Sequence, residues 1–292
     1  MAQRREIAGV YRGAPLHWVG DGFRVSTYFP SGGSLDTRVN PFLLMDYHPP
    51  YNYPPTASGQ RGVGPHPHRG FETVSLLWEG CVAHHDNAGH AGVIGPGDVQ
   101  WMTAGSGVLH KEYHQRDFAL HGGRMHSLQL WVNLPRIHKR ETPRYQALTA
   151  AQIGSSALPR GAGFVRVIAG QFGAIRGPAQ TFTPITLLDV QLHAGGSLSL
   201  SFPAPQNTLL LIMSGRLAVN ERAVGAQDLV SFADAGEDIE LAAQESTHLL
   251  VLSGEPIDEP VVFHGPFVMN TEAEIMRAIA DFNGGKFGRL PD

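Results

Sequence analysis

Apolar and polar positions along this chain alternate in short runs and do not recur every three or four residues. Ser197-Leu198-Ser199-Leu200-Ser201-Phe202 keeps a strict period of two, the pattern of a strand with one buried face. Thr73-Val74-Ser75-Leu76-Leu77-Trp78, a turn at Glu79-Gly80, and Cys81-Val82-Ala83 read as strand, tight turn and returning strand. Thirty-five Gly and 21 Pro punctuate such runs, which predicts many strands joined by turns and not a helical bundle. One helical signal lies near the end. Thr271-Glu272-Ala273-Glu274 has capping-box form, Ile275, Ile279 and Phe282 share a helical face, and Asn283-Gly284-Gly285 supplies a stop. An all-β fold closed by a short C-terminal helix is expected.

Period two also organises the candidate chemistry. His66 and His68 in Pro65-His66-Pro67-His68 project to one side of a strand, as do His110 and Glu112 in His110-Lys111-Glu112. Two such strands face to face present three imidazoles and a carboxylate to one point. That donor set suits iron, manganese, nickel, copper, zinc or cobalt, and the lack of thiolate argues against a closed structural zinc site. Eleven of the 15 histidines fall between residues 48 and 138, more than one metal needs. His114, His121 and His126 are therefore read first as solvated surface groups.

The strand, turn and strand at 73–83 return as Thr208-Leu209-Leu210-Leu211-Ile212-Met213-Ser214-Gly215-Arg216-Leu217-Ala218, 135 residues later. Val93–Val99 has a counterpart in Ala223-Val224-Gly225-Ala226-Gln227-Asp228-Leu229, offset by 130. Two similar β-domains follow, and 292 residues suffice to give each a core. Leu134–Pro143, Pro-flanked and charge-dense, has boundary composition, dividing residues 1–140 from 141–292. Across the offsets His66, His68 and Glu72 fall on Ser201, Pro203 and Asn207, while His110 and Glu112 fall on Glu240 and Ala242. The second domain is expected to lack metal ligands.

Charge and cysteine content narrow the class. A net charge of −4 without a basic stripe disfavours direct nucleic-acid binding. The single cysteine, Cys81, excludes an intrachain disulfide and fits a reducing, cytoplasmic setting. No apolar run suits a signal peptide or a membrane span.

Several blocks together resemble the pirin family of the cupin superfamily. They are Pro41-Phe42-Leu43, Pro65–Val74, Gly92–Gly105, Leu128–Pro135 and Lys286-Phe287-Gly288. The resemblance implies two tandem cupin barrels of jelly-roll type, with one mononuclear metal, Fe(II) by family habit, in the N-terminal one. It maps the ligands onto His66, His68, His110 and Glu112. Ordinary cupins place the carboxylate where Glu72 stands, so Glu72 is expected beside the metal as support or alternate ligand, and both carboxylates are candidate catalytic groups. Pirins resemble quercetin 2,3-dioxygenases, which open a planar flavonol with O2, or act as metal-dependent, redox-responsive regulators that bind a protein partner. In the first role the carboxylate is the natural acceptor of the flavonol 3-hydroxyl proton. Phe42, Phe71, Trp101, Met102 and Trp131 are candidates to line an apolar pocket.

Overall fold

The computed structural model describes residues 3–30, 38–56 and 60–290. Its first twelve strands are β1 Ile7–Arg12, β2 His17–Val19, β3 Phe23–Phe29, β4 Phe42–Tyr53, β5 Gly62–His68, β6 Phe71–Glu79, β7 Val82–Asp86, β8 Ala91–Ile94, β9 Val99–Thr103, β10 Val108–His114, β11 Gly123–Asn133 and β12 Arg144–Leu148. A one-and-a-half-turn helix, α1 Arg116–His121, precedes β11. The later strands are β13 Ser155–Ala157, β14 Gly163–Ala169, β15 Gln171–Phe172, β16 Ile175–Arg176, β17 Ile185–Leu192, β18 Ser197–Ser201, β19 Asn207–Ser214, β20 Arg216–Val219, β21 Arg222–Gly225, β22 Asp228–Phe232, β23 Asp238–Ala243, β24 Thr247–Gly254, β25 Val262–His264 and β26 Phe267–Met269. Helix α2, Glu272–Asn283, follows with Thr271 as N-cap and Gly284 as C-cap, as the capping signals predict.

The chain forms two compact units, each with a seven-stranded and a four-stranded sheet. In the first barrel (Pro15–Thr27, Phe42–Ala150 and Ile257–Asp292) the orders are β12-β9-β6-β11-β4-β3-β2 and β5-β10-β7-β8. In the second (Met1–Ala14, Tyr28–Pro41 and Ala151–Pro256) they are β1-β22-β19-β24-β17-β14-β13 and β18-β23-β20-β21. Strand for strand the orders match, which is the internal repeat made physical. Even the turn chemistry repeats: Asp98 Oδ2 accepts from Gly95 N at 2.9 Å, and Asp228 Oδ2 from Gly225 N at 2.8 Å.

Both chain ends depart from a linear division at residue 140. Strand β1 completes the second barrel by pairing with β22, anchored by buried Arg5, which donates to Ala233 O, Thr208 Oγ1 and Gln206 O. Helix α2 joins the first barrel, where Ile275 and Ala278 pack with Leu109, Phe267, Met269 and Phe287. The stretch 134–143 also belongs to the first barrel and is no loose linker. Lys139 within it is buried, and its Nζ donates to Gly70 O at 2.8 Å, Asn133 Oδ1 at 2.7 Å and Val268 O at 3.1 Å. Burial lowers this amine to about 7, three oxygen acceptors make its burial tolerable, and a polar letter in the sequence carries no sign of it.

Period two holds inside the sheets. The inward faces of the second barrel converge in one apolar cluster that includes Leu188, Val190, Leu210, Ile212, Val230 and Val251. The first barrel's interior is split into smaller apolar groups around Phe23, Leu77 and Met125 on one side and Met102 and Val108 on another. Polar side chains, among them Ser75, Gln129 and Glu112, also face this interior.

Candidate metal centre

His66 and His110 sit directly opposite each other on β5 and β10, and His68 lies opposite Val108. The ring centroids of His66 and His110 are 4.2 Å apart, those of His68 and His110 4.7 Å, and those of His66 and His68 4.8 Å. One donor nitrogen from each lies within 4.8 Å of the others. The β5 to β6 turn fixes the second histidine. Gly70 there has φ +88°, and a Cβ on it would lie 2.1 Å from Val268 O, so only glycine fits the bend that ends β5 at His68.

The imidazoles are prepared as ligands. His66 Nδ1 donates to Gly64 O at 2.8 Å, which leaves its Nε2 lone pair outward. Burial, then the neighbouring imidazoles, push His68 and His110 well below the usual histidine range. Both are neutral at pH 7. Neither ring nitrogen of His110, nor Nδ1 of His68, has a hydrogen-bond partner. Buried orphan nitrogens are costly unless something occupies them, and three converging imidazole lone pairs fit a transition-metal ion. The three histidines can hold a metal.

Glu112 lines a cavity that His66 and His68 also line, with Oε1 accepting from Ser75 Oγ at 3.3 Å and Oε2 from Gln129 Nε2 at 3.0 Å. Between His110 and Glu112 the register against β5 slips, three residues of β5 spanning two of β10. Such a bulge re-aims side chains, and the group of three close donors does not include Glu112. Glu72 is placed elsewhere. On β6 it alternates with Ser75 onto the opposite face, where Oε1 accepts from Thr103 Oγ1 at 2.6 Å. Burial, opposed by that hydrogen bond, raises its carboxyl to about 6. The structure does not bring Glu72 to the histidines.

The cavity has a volume of about 460 Å3, within the range of roughly 300–1,000 Å3 usual for small-molecule sites. Of the five apolar candidates only Trp131 lines it; Phe42, Phe71, Trp101 and Met102 are buried in the sheets. Phe71 still contributes by packing on both His68 and Trp131, at centroid distances of 5.0 and 4.3 Å. His114 and His126 are buried, not solvated: His114 Nε2 donates to Gly22 O at 2.7 Å, and His126 Nε2 pairs with the Tyr47 hydroxyl at 3.0 Å. His121 is exposed. A larger open groove of about 840 Å3, bordered by Arg61, His85 and Lys111, contains none of the three close histidines. Ser75 and Gln129 escape a motif reading because their signal is only a polar residue at an inward strand position. Cys81 is half-buried and burial raises its thiol, so it is unsuited to reactivity.

Comparison with known proteins agrees with this fold. The pirin family model matches residues 22–132 and the pirin C-terminal cupin domain matches 187–288. A Pseudomonas aeruginosa protein named "putative quercetin 2,3-dioxygenase" is 48% identical over 98% of this chain and 99% of its own length. Mouse (Mus musculus) pirin is 39% identical over 86% of this chain and 84% of its own. The crystal structure of a quercetin 2,3-dioxygenase from Acinetobacter baumannii superimposes with TM-score 0.94 at 45% identity, covering 99% of this chain and 100% of that one. With two tandem cupin barrels, matched family models over both and full-length relatives, this chain belongs to the pirin family.

Proposed function

We propose that this protein is a metal-dependent dioxygenase that opens flavonols such as quercetin with O2. The observation that carries the reading is the union of three converging imidazoles, those of His68 and His110 buried and neutral, with a largely apolar cavity of ligand size. Relatives named for quercetin 2,3-dioxygenase activity support it. His66, His68 and His110 would hold the ion, with Glu112 as fourth donor and Fe(II) as the metal the family resemblance favours. When bound, the ion supplies Lewis acidity toward the ionised 3-hydroxyl and a centre for oxygen chemistry.

The chain's own groups do the rest. Glu112, held by Ser75 and Gln129, accepts the 3-hydroxyl proton. Trp131 and the apolar walls, including Val63, Leu77 and Val82, receive the aromatic rings and exclude water. Among the described residues no helix is long and apolar enough to cross a membrane; the single cysteine is what supports a cytoplasmic enzyme.

Metal-loaded protein incubated with quercetin in air is expected to lose the flavonol's visible absorbance and release carbon monoxide. A flavone without the 3-hydroxyl should not react, and Glu112→Gln should lower the rate at least a hundredfold while Glu72→Gln changes it little. Full metal loading with no turnover of any flavonol would instead favour the regulatory role that the pirin resemblance also implies.

A further inference from the structure

The two barrels can be laid over each other rung by rung, because Val82 corresponds to Leu217 in the repeat and the pairing registers then fix every inward position. On this superposition Asp46 and His48 of β4 correspond to Leu188 and Val190 of β17, and Ser127 of β11 corresponds to Leu249 of β24. The fold is satisfied by apolar residues at all three places. The first barrel carries polar groups there, and all three line the cavity.

Their placement along the strands separates them from the histidines. Trp131 and Leu44 form the rung nearest the metal site, Gln129 and Asp46 the next, and Ser127 and His48 the one after. Each step of two residues is roughly 7 Å along the sheet. Asp46 Oδ1 accepts from Thr27 Oγ1 at 2.5 Å. His48 is more than nine-tenths buried, and its Nδ1 has no hydrogen-bond partner. Burial foremost, then His126 and His114, pushes the His48 ring down to about 3, so it is neutral and offers one donor and one acceptor. Burial raises the Asp46 carboxyl against the opposing Thr27 bond.

We propose that Asp46, His48 and Ser127 form a hydroxyl-recognition subsite at the end of the cavity remote from the histidines, selecting flavonols with adjacent phenolic hydroxyls on the pendant ring. The inference rests on the flavonol reading above and names its substrate class. Buried groups built to meet hydroxyls disfavour an analogue that leaves them unpaired, whereas Leu188, Val190 and Leu249 in the second barrel have nothing to lose.

The test uses the full metal-loaded chain and three flavonols that share the 3-hydroxyl and carry two, one or no hydroxyls on the pendant ring. Binding is read from quenching of tryptophan fluorescence under anaerobic conditions, since Trp131 lines the cavity. Affinity should fall roughly tenfold for each hydroxyl removed. In Asp46→Leu and in His48→Val, which install the second barrel's residues, the spread should shrink below threefold; Asp46→Asn, which keeps an acceptor for Thr27, serves if Asp46→Leu does not fold. Equal affinities in the wild type, or an undiminished spread in the variants, overturn the subsite. Binding without discrimination leaves the dioxygenase reading standing, while discriminating binding without turnover overturns that reading and supports the subsite. No binding of any of the three overturns both.

Discussion

The two barrels share one strand order and differ in what fills them. On the rung-by-rung superposition, His66, His68, His110 and Glu112 correspond to Leu200, Phe202, Ile239 and Leu241, all in the second barrel's apolar cluster. Ser75, Gln100, Gln129 and His84 correspond to Leu210, Val230, Val251 and Val219, in the same cluster. One barrel holds itself together with its interior; the other gives that interior up to a cavity and a ring of polar groups. A repeated fold can therefore carry chemistry in one copy because the strand pairing, turn geometry and outer packing survive replacement of the core.

That comparison corrects the expected equivalences. Residue offsets in the sequence align the ligands with Ser201, Pro203, Glu240 and Ala242, but Ser201 and Pro203 lie outside the apolar cluster and Glu240 is exposed, hydrogen-bonded to Ser199. The slip is one residue, and with a side-chain period of two one residue exchanges the faces of a strand. At the equivalent positions the second barrel carries hydrophobic residues, not polar ones, and the expectation that it binds no metal now rests on them.

The sharpest way to break the comparison is metal content. Purified protein should carry close to one transition-metal ion per chain, and His66→Ala or His110→Ala should lower retention by at least tenfold on elemental analysis. Diffraction at a metal absorption edge should show no peak among residues 151–256. A strong peak there would end the contrast between a chemical and a structural barrel.

Next in size is the cost of truncation at equivalent positions. Leu210→Ala in the second barrel should destabilise by about 2–5 kcal/mol, whereas Ser75→Ala, its counterpart beside the cavity, should cost about 1 kcal/mol or less. Denaturant titration measures both. Equal losses would mean that the first barrel depends on its polar interior for folding.

A smaller effect concerns Glu72. Its carboxyl is raised from 4.5 to about 6 in the folded chain, so the folded state holds the proton more tightly than the unfolded one. The resulting stability is complete below pH 4.5 and is lost as pH rises through about 6, a change of roughly 2 kcal/mol. The stability difference between wild type and Glu72→Gln should shift by that amount across this window and be flat on either side. A flat difference throughout would place Glu72 in a more solvated setting than its contact with Thr103 implies.

The smallest effect should be the same in both barrels. Asp98→Ala and Asp228→Ala each remove an acceptor for the glycine N–H three residues earlier, at about 1 kcal/mol apiece. Each carboxylate has one further partner, Ala150 N at Asp98 and the exposed Arg12 guanidinium at Asp228, so the two losses should be similar. Thermal melts of the two variants would show whether the repeated turns are energetic equals.

The sequence by itself determined the all-strand class, the two similar domains, the capped C-terminal helix and the three histidines. These are local facts: period two, glycine turns, a capping box and His-x-His spacing express themselves over a few residues. Only the tertiary structure decided which chain end completes which barrel, that Lys139 is buried beneath the β5 to β6 turn, and that Glu72 faces away from the site that Glu112 lines. It alone showed Asp46, His48, Ser75 and Gln129 entering one cavity. Each of these depends on strand register and on pairing between residues far apart in the chain, and a single-residue change in register reverses the answer while leaving the local pattern untouched.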